Sequence, residues 1–192
     1  APLGRLEPAV AASQHARDLE PLSVSINTTF GLVLLFARRY DQALEQCRKT
    51  LELFPKFYMA YWVLALVYRQ QSLHREAIAA CEKAVEFSRS SPVMLATLGH
   101  AHAGAGNLAE ARRLLDQVLA LRGSVYVSPL DVAVLHLGLG DRDAAFQWLE
   151  QAVDERIGRL IWLQVHPLYD PLRDDPRFAA LLRRLHFGTV MK

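Results

Sequence analysis

Apolar and small residues follow two periods along this chain, one at helical spacing and one of 34 residues. Alanine recurs every 34 residues in one register, at Ala9, Ala43, Ala77, Ala111, Ala145 and Ala179. A second ladder lies seven residues further on, at Ala16, Thr50, Ala84, Val118 and Ala152, before His186 breaks it. A fixed period of this length predicts an array of stacked structural units.

Each unit is predicted to contain two amphipathic helices, and neither helix can bury its apolar face alone. Stacking neighbouring units side by side joins these faces into one continuous core. Small residues such as Ala77 and Ala111 let the paired helices approach closely. Because no segment has a convincing strand pattern, the sequence predicts an all-α fold.

The motif residues of these units resemble those of the tetratricopeptide repeat family. A unit of that family has Leu-Gly in its first helix, an aromatic residue three positions later, and alanines seven apart in its second helix. The third unit matches closely, and the corresponding pairs of the four units are Phe30-Gly31, Leu64-Ala65, Leu98-Gly99 and Val132-Ala133. The fourth unit departs from the pattern at Pro129, in the opening turn of its first helix. The resemblance covers about residues 8–188 and implies a right-handed superhelical solenoid of antiparallel helix pairs.

The repeat register divides the chain into six expected segments. The first is the second helix of a truncated preceding repeat, four full repeats follow, and the last is a degenerate repeat with a C-terminal capping helix. Their expected bounds are residues 1–23, 24–57, 58–91, 92–125, 126–159 and 160–192.

The glycine-rich stretch LGHAHAGAGN, residues 98–107, is interpreted as the joint between two helices. The slot between the helices of a unit holds a residue suited to positive φ, at Ser72, Gly106 and Gly140. The next residues, Asn107 and Asp141, are expected to cap the following helix through their side-chain oxygens. A phosphate-binding loop would need a preceding strand and a following Lys-Ser/Thr, and the sequence has neither around this stretch.

The histidines and cysteines fit core positions better than a metal site. His100 and His102 point about 200° apart on a helix, so they cannot share an ion. His102 and His136 occupy the aromatic position of adjacent units and are expected to be core residues. Cys47 and Cys81, also 34 apart, are expected to be small buried hydrophobes. We therefore expect neither a metal nor another cofactor.

Several functional classes are excluded at this stage. The sequence contains no GxSxG, HExxH, Walker, kinase or CxxC motif, so we expect no enzymatic activity. A net charge of +2 is too small for a nucleic-acid footprint. No apolar run approaches the ~18 residues of a membrane span. Two cysteines indicate a reducing compartment, and we expect a cytoplasmic location.

The acidic stretch near the C-terminus is interpreted as helix capping and not as a cation site. Asp175 is expected to be an N-cap with Pro176 as the first helical residue. Asp170 and Pro171 are expected to repeat this arrangement. The surrounding tail, residues 166–187, resembles the C-terminal end of repeat regions in large bacterial regulatory proteins, which implies an accessory or regulatory segment.

The family resemblance also implies a concave groove lined by the first helix of each unit. The positions expected to form a partner-binding groove are Thr28, Leu32, Leu35, Phe36, Trp62, Val63, Leu66, Arg69, Gln70, Thr97, His100, Asp131 and Val134. We expect an exposed apolar surface that binds an amphipathic helix or extended apolar peptide, with Phe36, Trp62 and Leu66 as anchors. Arg69 would fix the orientation, and a single basic residue is too few for the carboxylate clamp of chaperone-binding relatives.

Three alternatives remain open beside peptide binding. The groove residues could be packing, covered by neighbouring helices or by a preceding N-terminal part. The groove or the edge near residues 9–21 could pair protomers, which would make the chain a self-assembly module and a homo-oligomer. The concave face could instead hold a small molecule, as in a sensory domain. The expected partner is a protein or peptide, with no nucleic acid and no membrane.

Overall fold

The computed structural model describes residues 4–185, which form α-helices and two short 3-10 helices, with no strand in that range. The α-helices are α1 (Leu6–Leu19), α2 (Val24–Phe36), α3 (Tyr40–Leu53), α4 (Tyr58–Gln70), α5 (His74–Phe87), α6 (Pro92–Gly104), α7 (Leu108–Leu121), α8 (Pro129–Gly138), α9 (Arg142–Asp154) and α10 (Pro176–Arg184). The 3-10 helices, Gly158–Trp162 and Pro167–Leu172, lie between α9 and α10. The predicted all-α fold is confirmed.

The helices stack in two layers. Helices α2, α4, α6 and α8 each pack against the next helix in the chain and against one another, so they form an inner layer. Helices α3, α5, α7 and α9 form the outer layer, and α1 packs on α2. The expected right-handed superhelical solenoid of antiparallel helix pairs is confirmed.

The turns between paired helices repeat one backbone conformation. The residue with positive φ in this slot is Arg38 (φ 61°), Ser72 (φ 58°), Gly106 (φ 83°) or Gly140 (φ 79°). The next backbone N–H then bonds back to the first helix, as from Asn107 to the His102 carbonyl at 2.9 Å. The joint predicted for the glycine-rich stretch is therefore confirmed.

The predicted caps are confirmed at two positions and wrong at two others. Asp141 accepts from the Ala144 N–H at 3.0 Å, and Asp175 accepts from the Arg177 N–H at 2.9 Å. The Asn107 side chain accepts from no backbone N–H of the described residues, and its amide nitrogen lies 3.4 Å from His102 Nδ1. Asp170 and Pro171 do not start a helix either, since both lie inside Pro167–Leu172.

Small residues fill the spaces where helices cross. Ala77 and Ala111 are fully buried, and a Cβ at Gly99 would collide with the side chain of Leu135.

The expectation of small buried hydrophobes is confirmed for the cysteines. Cys47 and Cys81 are buried free thiols, and burial raises the pKa of each to about 12. The two histidines at equivalent positions of adjacent units are less buried than expected. His102 and His136, expected in the core, are only half-buried, because each approaches a polar side chain in its following turn.

The C-terminal helix covers the end of the solenoid. Helix α10 packs on α9 with Phe178 and Leu181 buried. Arg184 forms ion pairs with Glu150 and Asp154 on α9. Among the described residues, no helix has both the length and the apolar character needed to cross a membrane.

Candidate functional site

The inner surface of the solenoid is occupied by a segment of the same chain. We call residues 158–172 the crossing segment; it contains both 3-10 helices and joins α9 to α10. Irregular structure here follows from local sequence, because Pro167 and Pro171 each lack the N–H that a continuous α-helix needs. The groove expected from the sequence is thus filled from within.

The crossing segment enters the groove beside α8. Arg159 donates to the Asp131 carboxylate at 2.5 Å, and the Asp131 side chain is only 6% exposed. Burial raises the pKa of Asp131, while the charge and hydrogen bond of Arg159 act in the opposite direction. This ion pair fixes the start of the crossing segment against the fourth helix pair.

The segment then reaches the first helix pair. The rings of Trp162 and His166 lie over Phe36, with centroid distances of 5.8 and 5.2 Å. Asp170 accepts from Arg38 at 2.8 Å, although the two residues are 132 positions apart. The crossing segment therefore spans the inner surface from α8 to α2.

The segment leaves the groove again towards α9. The Pro171 carbonyl accepts from Arg142 at 2.7 Å, at the start of that helix. The backbone of the segment is held by its own side chains as well, since His166 Nδ1 accepts from the Leu168 N–H at 3.1 Å. Both ends of the segment are thus attached to the last helix pair.

A small cavity remains between the crossing segment and the inner helices. Its volume is about 40 Å³, room for a water molecule and not for a metabolite. Its walls include Trp62, Leu66, Thr97, Val134, Trp162 and Tyr169. The Trp62 indole N–H donates to Thr97 Oγ1 at 3.0 Å, so the aromatic wall on this side has a fixed orientation. The cavity beneath the segment is therefore too small for a metabolite while the segment occupies the groove.

A cluster of basic side chains lies beneath the segment. His100 is 2% exposed, and both of its ring nitrogens are buried without a hydrogen-bond partner in the described residues. Burial and the positive charge of Arg69 lower the pKa of His100 well below its ordinary value. Burial, with the charges of Arg69, Arg38 and Arg159, lowers the pKa of His166 to about 3. Both imidazoles are therefore neutral at physiological pH.

The structure brings several of the predicted groove residues together. Those in contact with the crossing segment or with the cavity beneath it are Phe36, Trp62, Leu66, Thr97, Asp131 and Val134. Val63 lies elsewhere, between α2 and α4, where it packs near Gly31. Thr28, Leu32 and Leu35 are buried, and Arg69 and Gln70 are half-buried.

The inner surface was expected to be exposed, but its apolar side chains are buried. Even the expected anchors Phe36, Trp62 and Leu66 are buried. Among the described residues, this cover comes from residues 158–172 in addition to the neighbouring helices. The residues that supply it were not among those expected from the sequence, and they are chiefly Arg159, Trp162, His166 and Tyr169.

Comparison with known proteins identifies the repeats. One tetratricopeptide repeat family model matches residues 28–92, and a second matches residues 93–128. Together they span more than half of the chain. The chain belongs to the tetratricopeptide repeat family. The matched region ends before α8, so the crossing segment lies outside the part that the two family models match.

Solved structures of other tetratricopeptide repeat proteins share this fold. TTC0263 of Thermus thermophilus is 20% identical, with a TM-score of 0.65 over 94% of this chain and 92% of that protein. MamA of Desulfovibrio magneticus RS-1 is 18% identical, with a TM-score of 0.55 over 80% and 87%. YrrB, described as having an unusual peptide-binding site, is 16% identical, with a TM-score of 0.51 over 92% of each chain. At these identities the similarity shows the fold alone. No curated protein sequence matches this tetratricopeptide repeat chain.

Proposed function

We propose that this tetratricopeptide repeat chain is a non-catalytic scaffold that binds an apolar or amphipathic peptide on its inner surface. One observation carries the proposal: this surface accommodates an irregular peptide segment, residues 158–172, through aromatic and aliphatic anchors. Its similarity to YrrB, a repeat protein with a peptide-binding site, agrees with this role.

The crossing segment binds the groove through side chains of the kind that a peptide ligand would use. Trp162 packs on Phe36, and Leu168 and Tyr169 are buried against the inner helices. Buried aromatic anchors of this kind supply most of the affinity in peptide complexes, with polar groups at the rim fixing direction. The ion pair between Arg38 and Asp170 is such a rim contact.

The peptide and the crossing segment compete for the same inner surface. The chain then binds only in the fraction of molecules whose segment has left the groove, which lowers the apparent affinity by that fraction. The resemblance of the tail, residues 166–187, to repeat regions of bacterial regulatory proteins supports an accessory role in a larger cytoplasmic protein of that type.

Fluorescence anisotropy tests this function with a labelled peptide of sequence GRLIWLQVHPLYDPL, residues 158–172. The full chain carrying Trp162→Ala has a weakened internal segment and should bind the peptide at least about tenfold more tightly than the wild type. Adding Val134→Glu, which places a charge in the groove, should abolish binding.

Leu108→Glu is the matched control for the groove substitution. Leu108 is exposed at the start of α7, in the outer layer, so the same change there should leave peptide affinity unaltered. Equal loss of affinity with both substitutions, or no peptide binding to the Trp162→Ala chain, would contradict the proposed function.

Self-assembly is a second candidate because the crossing segment is joined to α9 by a short turn at Arg156, which has a positive φ of 53°. Exchange of residues 158–185 between two copies would preserve every contact of the segment and give a swapped dimer. Size-exclusion chromatography over a range of concentrations distinguishes this case, since exchange predicts a dimer that Trp162→Ala weakens.

A further inference from the structure

One positive charge on the inner surface has no ion-pair partner in the crossing segment. Arg38 is paired with Asp170 and Arg159 with Asp131, at 2.8 and 2.5 Å. Arg69, on α4 between these two pairs, forms no ion pair with any residue in the range 4–185. The charged side chains at the two ends of the groove are therefore paired, whereas Arg69 in the middle has no ion-pair partner among the described residues.

The unsatisfied groups in the middle are buried. Arg69 Nε and both ring nitrogens of His100 lack hydrogen-bond partners among the described residues, and all three atoms are shielded from solvent. Burial lowers the pKa of Arg69 to about 10, so the guanidinium remains charged at neutral pH. A buried donor without an acceptor destabilises the folded state, and a charged donor does so more strongly. The crossing segment is an imperfect occupant of this groove.

The position in the segment that faces this cluster is His166. His166 lines the same cavity as Leu66, which lies one helical turn before Arg69 on α4. In agreement with this placement, the charge of Arg69 lowers the pKa of both His100 and His166. His166 Nδ1 already accepts from the Leu168 N–H, which leaves the ring with only an N–H donor to offer. A donor placed next to Arg69 cannot neutralise it, whereas a carboxylate at this position can.

We propose that the physiological occupant of the inner surface is an acidic peptide with an aromatic anchor, whose carboxylate pairs with Arg69 and His100 and which thereby displaces the crossing segment. This inference rests on the proposed peptide-binding function and adds the chemistry of the partner. The aromatic anchor occupies the place of Trp162 on Phe36, and the carboxylate lies four positions further along, in place of His166. The crossing segment then acts as a weak internal competitor that only a peptide with this acidic residue replaces readily.

The test compares two peptides that differ only in charge at the decisive position. Both have the sequence of residues 158–172, one with His166→Glu and the other with His166→Gln, and their dissociation constants are measured at pH 7.5 on the full chain carrying Trp162→Ala. The Glu peptide should bind about tenfold more tightly than the Gln peptide, because a hydrogen-bonded charge pair in a buried site contributes about that factor. In a chain that also carries Arg69→Met, which keeps the volume and removes the charge, the two peptides should bind within about twofold of each other.

The possible results distinguish failure of the acidic-partner inference from failure of the proposed peptide-binding function. Equal affinity of the Glu and Gln peptides for the chain that retains Arg69 would overturn the acidic-partner inference and leave peptide binding intact. A preference for Glu that persists in the Arg69→Met chain would overturn it as well, because the carboxylate would then be recognised elsewhere. Failure of both peptides to bind would overturn the proposed function itself. If Trp162→Ala impairs folding, the wild-type chain gives the same comparison at higher peptide concentrations, with the same expected ratio.

Discussion

At the residue scale, the turns between paired helices use different residues for the same backbone conformation. Gly106 and Gly140 adopt positive φ without steric cost, whereas Arg38 and Ser72 adopt it at a cost that their Cβ atoms impose. The 34-residue register aligns all four positions, and positive φ was predicted at three of them. It was not predicted at Arg38, since nothing in an arginine side chain indicates positive φ.

The turn slot gives a reciprocal pair of substitutions. Ser72→Gly should raise the free energy of unfolding by about 1 kcal/mol, because it removes the strain of a Cβ at positive φ. Gly140→Ala should lower it by a similar amount, since φ there is 79° and no neighbouring atom lies within 4 Å of the added Cβ. Urea denaturation measures both, and a change of the same sign in both variants would contradict this interpretation of the turns.

The buried histidines make stability depend on pH. The folded chain holds His100 and His166 neutral with lowered pKa values, whereas the unfolded chain protonates them near the ordinary value of 6.5. Their contribution is fully present above about pH 7 and is lost as the pH falls below 6.5, for His166 down to its folded pKa of about 3. Between pH 7.5 and 5.5 we expect a loss of about 1 kcal/mol for each histidine.

Denaturation at a series of pH values checks this prediction, and the window ends at 5.5 so that carboxylates of ordinary pKa stay ionised. For each protein, the free energy of unfolding at pH 5.5 is compared with its own value at pH 7.5. In the matched variant His166→Gln this difference should be about half of that in the wild type. An unchanged slope in His166→Gln, or stability that increases on acidification, would show that the imidazole is not buried as described.

At the scale of the elements, the ladder of small residues determines how closely the paired helices pack. Ala77 on α5 is 1% exposed where it meets the first helix of its pair, and Ala79 on the same helix is exposed. Ala77→Leu should therefore lower stability by about 1–3 kcal/mol through overpacking. Ala79→Leu should change it by less than about 0.5 kcal/mol. The melting temperatures of the two variants separate the effect of the site from that of the larger side chain. Equal decreases in melting temperature would contradict the assignment of Ala77 to a close contact between helices.

The crossing segment shows where prediction from the sequence ended. The helix pairs and their joints repeat every 34 residues, so each unit helps to place the others. Residues 158–172 lie after the last unit and depart from that register, and their contacts with α2 join residues more than a hundred positions apart. No periodic pattern encodes such a contact.

The inner helices nevertheless contained a signal that the groove is covered. Helix α4 reads YMAYWVLALVYRQ and helix α6 reads PVMLATLGHAHAG, and both are apolar on nearly every side. A helix that packs only against its layer neighbours needs one apolar stripe and leaves the opposite face polar. Helices that are apolar all round indicate a second covering layer, which Trp162, Leu168 and Tyr169 of the crossing segment supply.

At the scale of the whole molecule, the crossing segment changes the mechanics of the repeat array. In an open solenoid each unit contacts only its neighbours, so stability is close to a sum of local terms. Here the pair of Arg38 with Asp170 and the packing of Trp162 on Phe36 connect the first helix pair to the C-terminal part of the chain. Release of the segment would break this connection, so peptide binding and the cohesion of the array are coupled through the same residues.

The central claim is that a peptide and the crossing segment compete for one surface, and the indole N–H signals of a ¹⁵N-labelled chain test it most directly. The three tryptophans are Trp162 in the crossing segment, Trp62 in the groove and Trp148 on the outer helix α9, stacked under Arg122 at 4.7 Å. Titration with the unlabelled His166→Glu peptide should move the Trp162 signal to the position of a solvent-exposed indole and leave Trp148 unchanged. Binding that saturates while the Trp162 signal stays in place would contradict the account, because the peptide would then occupy a surface that the segment does not.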